Sequence, residues 1–328
     1  MLYKLKPTRV YRTYLGGERL DRMQGVGEPT VSHFPEDWLS SVTAAFNPGR
    51  EVESEGLSQT ESGELLVDLI SANPRAMLGK HEKMTLLFKL LDSAERLVIQ
   101  VHPTVPFAKE HFNSDFGKTE CWYFLRDEGY VYIGFKPGIT RELWMELFER
   151  QDTDGMLDCL HRFDVKQGEL VFVPGGVPHA IGAGCFLAEL QEPSDLMVIP
   201  ERVTPSGVAL SDQKLHNGLG FERMFDCFVY EGLDREDARA RYFKVPTRMD
   251  EGRSIIVDNT LTDLFRLERI DAAGRLTVDI DSYGIALVIE GAGVVNGITL
   301  HVGDRVFIPA DENTLTIDGN LSMLVCQP

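Results

Sequence analysis

A glycine, five residues and a proline occur twice in this chain of 328 residues, as Gly168-Glu169-Leu170-Val171-Phe172-Val173-Pro174 and as Gly303-Asp304-Arg305-Val306-Phe307-Ile308-Pro309. Glycine suits a turn, the apolar run between suits a buried strand, and proline cannot donate to a continuing ladder. The first copy is surrounded by short apolar runs at 122–125, 130–135 and 180–190, separated by glycine-bearing turns. The second lies in an all-β region, 255–328, whose turns are Asp271-Ala272-Ala273-Gly274, Gly291-Ala292-Gly293 and Asn296-Gly297. Asn-Gly is a strong two-residue hairpin signal. Short strands alternating with glycine turns predict antiparallel jelly-roll barrels, and the repeat predicts two of them. The class is mainly β with helical insertions.

The copies diverge after the proline. The first continues Gly175-Gly176-Val177-Pro178-His179, whereas the second continues Ala310-Asp311-Glu312-Asn313-Thr314 and offers no histidine. His301 precedes the second turn and is expected to face solvent from a strand. Metal chemistry is therefore expected in the first barrel alone. Its partner motif is Gln100-Val101-His102-Pro103, followed eighteen residues after the histidine by Glu120 in Gly117-Lys118-Thr119-Glu120-Cys121-Trp122-Tyr123. Gln100 and His102 share a face if the segment is extended, since side chains alternate with period two. Two imidazoles, a carboxylate and an amide oxygen suit one divalent ion such as Zn2+ per chain, with a position open for water or substrate.

The rest reads as scaffold for that site or as a wall of its pocket, residues 1–60 being either an arm that covers a barrel end or loops that line the pocket. Residues 1–60 are rich in turns and polar groups, and His33-Phe34-Pro35-Glu36-Asp37-Trp38 reads as the opening of a short helix, with Pro35 near its first turn. Leu65, Leu66, Leu69 and Ile70 form a helical stripe ending before Pro74. Runs at 86–91 and 97–101 read as buried strands, and Lys89 inside the first needs a partner or a route to solvent. Residues 140–147 and 153–163 read as a helical hairpin, and 211–241 as helical. The predicted organisation is an arm and helix over 1–80 packing on the first barrel, and a metal-binding barrel over 81–205 with a helical insertion at about 139–163. A helical segment and linker come next over 206–254, then a metal-free second barrel over 255–328.

Net charge bounds the partners. Lysine and arginine total 33 against 51 acidic residues, a balance of −18, which argues against nucleic acid or an anionic membrane. The opening Met1-Leu2-Tyr3-Lys4-Leu5-Lys6-Pro7 lacks the apolar core of a signal peptide, and no run approaches the ~20 apolar residues needed to cross a bilayer. The five cysteines, Cys121, Cys159, Cys185, Cys227 and Cys326, are odd in number and scattered, and read as reduced thiols of a cytoplasmic protein.

The glycine–proline–glycine–histidine pattern resembles the second cupin motif, and Gln100-x-His102 resembles an altered first one. Lys89, Gln100-Val101-His102-Pro103, Ala108-Lys109, Gly117 to Tyr123, Val173-Pro174 and His179-Ala180-Ile181-Gly182-Ala183-Gly184 together resemble type I mannose-6-phosphate isomerase over most of the chain. The resemblance implies a double cupin barrel and one zinc on Gln100, His102, Glu120 and His179. It also implies an aldose–ketose isomerisation through a cis-enediol, on a small sugar or sugar phosphate. Glu189 matches a glutamate of the family pocket and is the first candidate to move the proton, with Lys118 the second; Lys118 and Lys89 are implied at the substrate. Two positions depart from the family: Val98 stands where it has a serine, and Ile199 where it has an arginine. Arg202, three residues further on, is the candidate replacement. The alternatives are a relative acting on another sugar, and a sugar-binding cupin without turnover. A non-haem iron dioxygenase would use a similar donor set, but the Gly-Lys-Thr-Glu-Cys-Trp-Tyr match opposes it. A monomer or a dimer fits equally.

Overall fold

The computed structural model describes residues 1–250 and 252–328. Seven antiparallel strands form the first sheet, in the order Phe243–Lys244, Leu170–Val173, Glu120–Phe124, Phe186–Gln191, Leu87–Asp92, Glu36–Leu39 and Arg9–Val10. A three-stranded sheet, Leu160–Asp164, Tyr130–Phe135 and His179–Ile181, packs against one of its faces. Trp122, Phe124 and Leu187 meet Val131, Ile133 and Ile181 there. The alternate residues Cys121, Tyr123, Ala188 and Leu190 point the other way, into a second core shared with Leu267, Ile285, Phe307 and Leu324. Burial on both faces explains why these strands read as continuous apolar runs rather than as alternating ones. The C-terminal sheet has eight strands and encloses its own core of Ile270, Val288, Leu300, Ile317 and Met323.

The helical hairpin spans Arg141–Arg150 and Thr153–Asp158. The sequence extended its second helix to 163, but Leu160–Asp164 is a strand paired with Tyr130–Phe135. Thr140 and Asp152 start the two helices by accepting the Leu143 and Gly155 amides. The helical reading of 33–38 is also corrected. Glu36–Leu39 is a strand, wedged between Arg9–Val10 and Leu87–Asp92, because ladder pairing with two neighbours outweighs a local start signal. The segment 97–101 is extended but irregular, joined by single bridges from Gln100 to His179 and from Val101 to Val198. The hairpin at Asn296-Gly297 is as expected, both residues having positive φ. Gly168 and Gly303 open equivalent strands with φ of 82° and 86°.

Contacts between the two halves begin at the first residues. Tyr3–Leu5 pairs with Arg305–Ile308, so this piece of the predicted arm belongs to the second sheet and not to the first barrel. Asp37, fully buried, accepts from the Thr8 amide and Gln24 Nε2 and lies 2.9 Å from Arg305 Nη1. Removing one partner of a buried pair leaves the other charge stranded. Asp37→Ala is therefore expected to cost about 3 kcal/mol, read as a lower midpoint in denaturant. An unchanged midpoint would show that the pair contributes nothing net.

No helix among the described residues is long and apolar enough to cross a membrane. All five cysteines are buried and unpaired.

Candidate metal centre and its pocket

His102, Glu120 and His179 come together inside the first barrel, with ligand atoms within 4.8 Å of one another. Three elements deliver them: the irregular segment at 100–102, the start of Glu120–Phe124 and the start of His179–Ile181. Reciprocal amide–carbonyl bonds of 2.9 Å tie Gln100 to His179. Gly175 and Gly117 pack on the backbone of Pro103 and Thr104, where a Cβ at either would come within 2.8 Å of the Pro103 carbonyl. Those glycines permit the close approach of the two motifs. The Glu192 carboxylate accepts the Gly117 and Thr119 amides, which fixes the loop presenting Lys118.

Both imidazoles are oriented by backbone carbonyls. Nδ1–H of His102 donates to Leu196 at 2.8 Å and that of His179 to Val177 at 2.9 Å. The tautomer so fixed leaves each Nε2 lone pair facing Glu120, at 3.4 Å and 3.3 Å from its two oxygens. Burial lowers the pKa of both rings, that of His179 to about 3, which keeps them neutral. His179 Nε2 is buried and hydrogen-bonded to nothing among the described residues. An orphaned acceptor beside a carboxylate is the signature of a donor set made for a cation. Lys118 already supplies positive charge there, donating to His102 Nε2 at 2.7 Å and to Glu120 at 2.5 Å. Burial alone would raise the Glu120 pKa, but the Lys118 ammonium outweighs it and holds the carboxylate ionised. The residues fit a divalent ion.

Gln100, 9% exposed, lines the adjoining cavity together with Lys118, Glu189 and Lys89. Glu189 faces inward, 3.1 Å from Lys89 Nζ and 3.9 Å from Lys118 Nζ. Its pKa is raised by burial, the ammoniums only partly offsetting this. Lys89 does not reach solvent: burial disfavours its charge, but Glu189 and Glu36 more than restore it.

The opposite wall draws on residues 1–60, which the sequence left open as arm or pocket lining, but none of its residues was named there. Arg12 is buried, its Nε donating to Glu36 and its two terminal nitrogens to Asp195 at 3.2 Å and 3.1 Å. Tyr14 and Trp38 also donate to Glu36. Lys214 closes this side; burial pushes its ammonium down to about 8. Arg202, by contrast, is not a pocket residue. Its guanidinium lies over Phe148 and Phe221, 4.9 Å and 4.6 Å from the ring centroids, and pairs with Asp212. Stacking on two rings holds it outside. Ile199 and Val98 pack with Leu215 into an apolar wall of the cavity.

The charged wall predicts an acid response. Burial would raise the pKa of Glu36 and Asp195, but Arg12, aided by Lys89, holds both below the usual carboxylate range. Their contribution to stability is therefore full above the ordinary values of 4.5 and 3.8 and is lost as pH falls below them. Thermal midpoints should drop with acid in this window, and Arg12→Met should flatten the dependence. Equal slopes in both proteins would exclude this origin.

No family model matches the chain. It is 32% identical to the mannose-6-phosphate isomerase of Streptococcus mutans over 333 residues, covering 97% of this chain and 95% of that protein. It is 29% identical over 250 residues to the probable mannose-6-phosphate isomerase GmuF of Bacillus subtilis, covering 74% of this chain and 75% of that one. Among solved structures, the mannose 6-phosphate isomerase of Bacillus subtilis superposes with a TM-score of 0.79 at 23% identity, covering 100% of this chain and 99% of that one. A variant of phosphomannose isomerase from Salmonella typhimurium gives 0.76 at 17% identity, with 99% of each chain covered. The structural likenesses show a shared fold.

Proposed function

The chain belongs to the mannose-6-phosphate isomerase family, and from that we propose that it is a zinc-dependent isomerase interconverting mannose 6-phosphate and fructose 6-phosphate. The observation that carries this reading is the convergence of His102, Glu120 and His179 beside Glu189 and Lys118 in one buried pocket. Gln100, His102, Glu120 and His179 would hold the ion, which acts as a Lewis acid toward the sugar's oxygens.

The remaining chemistry falls to side chains. Glu189 removes the proton from C2 of the open-chain aldose, and the C–H electron pair becomes the C1–C2 double bond. The carbonyl oxygen takes a proton from Lys118, and a cis-enediol results. Return of the proton from Glu189 to C1, with the O2 proton passing back to Lys118, gives the ketose and restores both side chains. A raised carboxyl pKa suits this role, since a base works best with a pKa near the operating pH. Lys89 holds Glu189 in place and is available to a substrate hydroxyl.

The test is turnover of mannose 6-phosphate by the metal-loaded protein, with unphosphorylated mannose alongside and metal content measured on the same sample. Turnover of the phosphorylated sugar with one metal per chain is expected. The apolar wall of Val98 and Ile199 favours a second reading, a relative specialised for another sugar. Metal binding without turnover of mannose 6-phosphate would select it.

A further inference from the structure

The two imidazoles of the metal centre stand in unequal circumstances. Nε2 of His179 has no hydrogen-bond partner among the described residues, whereas Nε2 of His102 accepts from Lys118 Nζ at 2.7 Å. A neutral imidazole has one ring nitrogen that donates and one that accepts. His102 Nδ1 faces the Leu196 carbonyl at 2.8 Å, so its single lone pair is on Nε2. Lys118 and a divalent cation therefore claim the same electron pair, and each excludes the other.

The neighbouring carboxylates decide where the lysine goes. Glu120 has room for more than one partner, since an ionised carboxylate offers about four acceptor sites. Its Oε2 takes Lys118 Nζ at 2.5 Å and its Oε1 the Trp122 indole at 3.1 Å. Glu189 Oε1 lies 3.9 Å from Lys118 Nζ, so a small swing of the side chain exchanges the imidazole for a second carboxylate. At 3% exposure the ammonium has no exit to bulk water.

We propose that Lys118 is an internal cation that holds the metal position until a divalent ion displaces it, and that displacement turns the ammonium from His102 toward Glu189 and the sugar cavity. This rests on the metal reading of the centre and is independent of which sugar is bound. At His102 the lysine pairs Glu120, a buried carboxylate that is costly to leave alone. Turned to Glu189, it stands beside the base with its donors free for a substrate oxygen. Metal uptake and placement of the acid thus become a single event.

The experiment measures Zn2+ affinity by competition with a chelator for wild type, Lys118→Met, Lys118→Gln and Lys89→Met, with thermal midpoints before and after Zn2+ is added. Lys118→Met removes a hydrogen bond to a charged group that competes with the ion, so Zn2+ should bind roughly ten- to hundredfold more tightly. Its stripped form should melt below stripped wild type, and Zn2+ should raise its midpoint by more. Lys118→Gln keeps a donor without the charge and should fall between; it decides the matter if Lys118→Met does not fold when stripped. Lys89→Met removes an equal charge from the same pocket without touching His102 or Glu120, and its Zn2+ affinity should stay within about threefold of wild type, well short of the factor above. Zn2+ affinity no higher than wild type in both Lys118 variants overturns the displacement, and so does an equal gain in Lys89→Met. Failure of all four proteins to retain Zn2+ overturns it together with the metal reading. Tighter binding confined to the Lys118 variants supports it, whichever sugar proves to be the substrate.

Discussion

His179→Ala is expected to release the metal and to lower turnover of mannose 6-phosphate on the order of a thousandfold. A Lewis acid supplies several kcal/mol to such a reaction, and each 1.36 kcal/mol is about a factor of ten in rate. The residue is chosen because its Nε2 is the orphaned acceptor of the cluster, buried and aimed at Glu120. Stability should suffer less than activity, because the ring's Nδ1 bond is local, to Val177 two residues away. Metal content and rate are both needed. One metal retained per chain in the variant would remove His179 from the ligand set, whatever happened to the rate.

Glu189→Gln is the complementary change. Proton transfer by a placed side chain contributes about 10²–10⁴-fold, so kcat should fall by that factor while KM and metal content change little. The amide is isosteric and can still accept from Lys89, which keeps the wall in place. Exchange of the C2 proton with solvent deuterium should fall with kcat, as a positioning role alone would not require. A Glu189→Gln protein within threefold of wild type would shift the base elsewhere, with Lys118 the next group in reach.

The centre was legible in the sequence because its geometry is carried by local spacing. Gln100 and His102 lie on one extended segment, His179 comes after a glycine–proline turn, and Lys118 precedes Glu120 by two residues. Lys89 also gave a sign, since a lysine within an apolar run must find a partner, and it found Glu189 and Glu36. The charged wall gave none. Arg12 meets Asp195 across 183 residues and Lys214 meets Phe46 across 168, and no periodicity or turn chemistry encodes contacts of that range. The strand Glu36–Leu39 was hidden for a related reason: its identity is decided by flanking strands, while Pro35 locally suggests a helix start. Arg202 misled because sequence distance from Ile199 says nothing about Phe148, one of the two rings that hold it.

The link between Asp37 and Arg305 bears on how the protein is made. Asp37 sits on the strand that carries Glu36 into the pocket, the two residues pointing to opposite faces. Every residue assigned to the chemistry has been synthesised by position 189, well before Arg305 leaves the ribosome. Until then the Asp37 carboxylate lacks its guanidinium. Tyr3–Leu5 likewise waits for Arg305–Ile308, and the Lys4–Asp304 contact closes a span of 300 residues. Contacts of such separation form late. The strand that carries Glu36 into the pocket is thus fully braced only once Arg305 of the second barrel has been made.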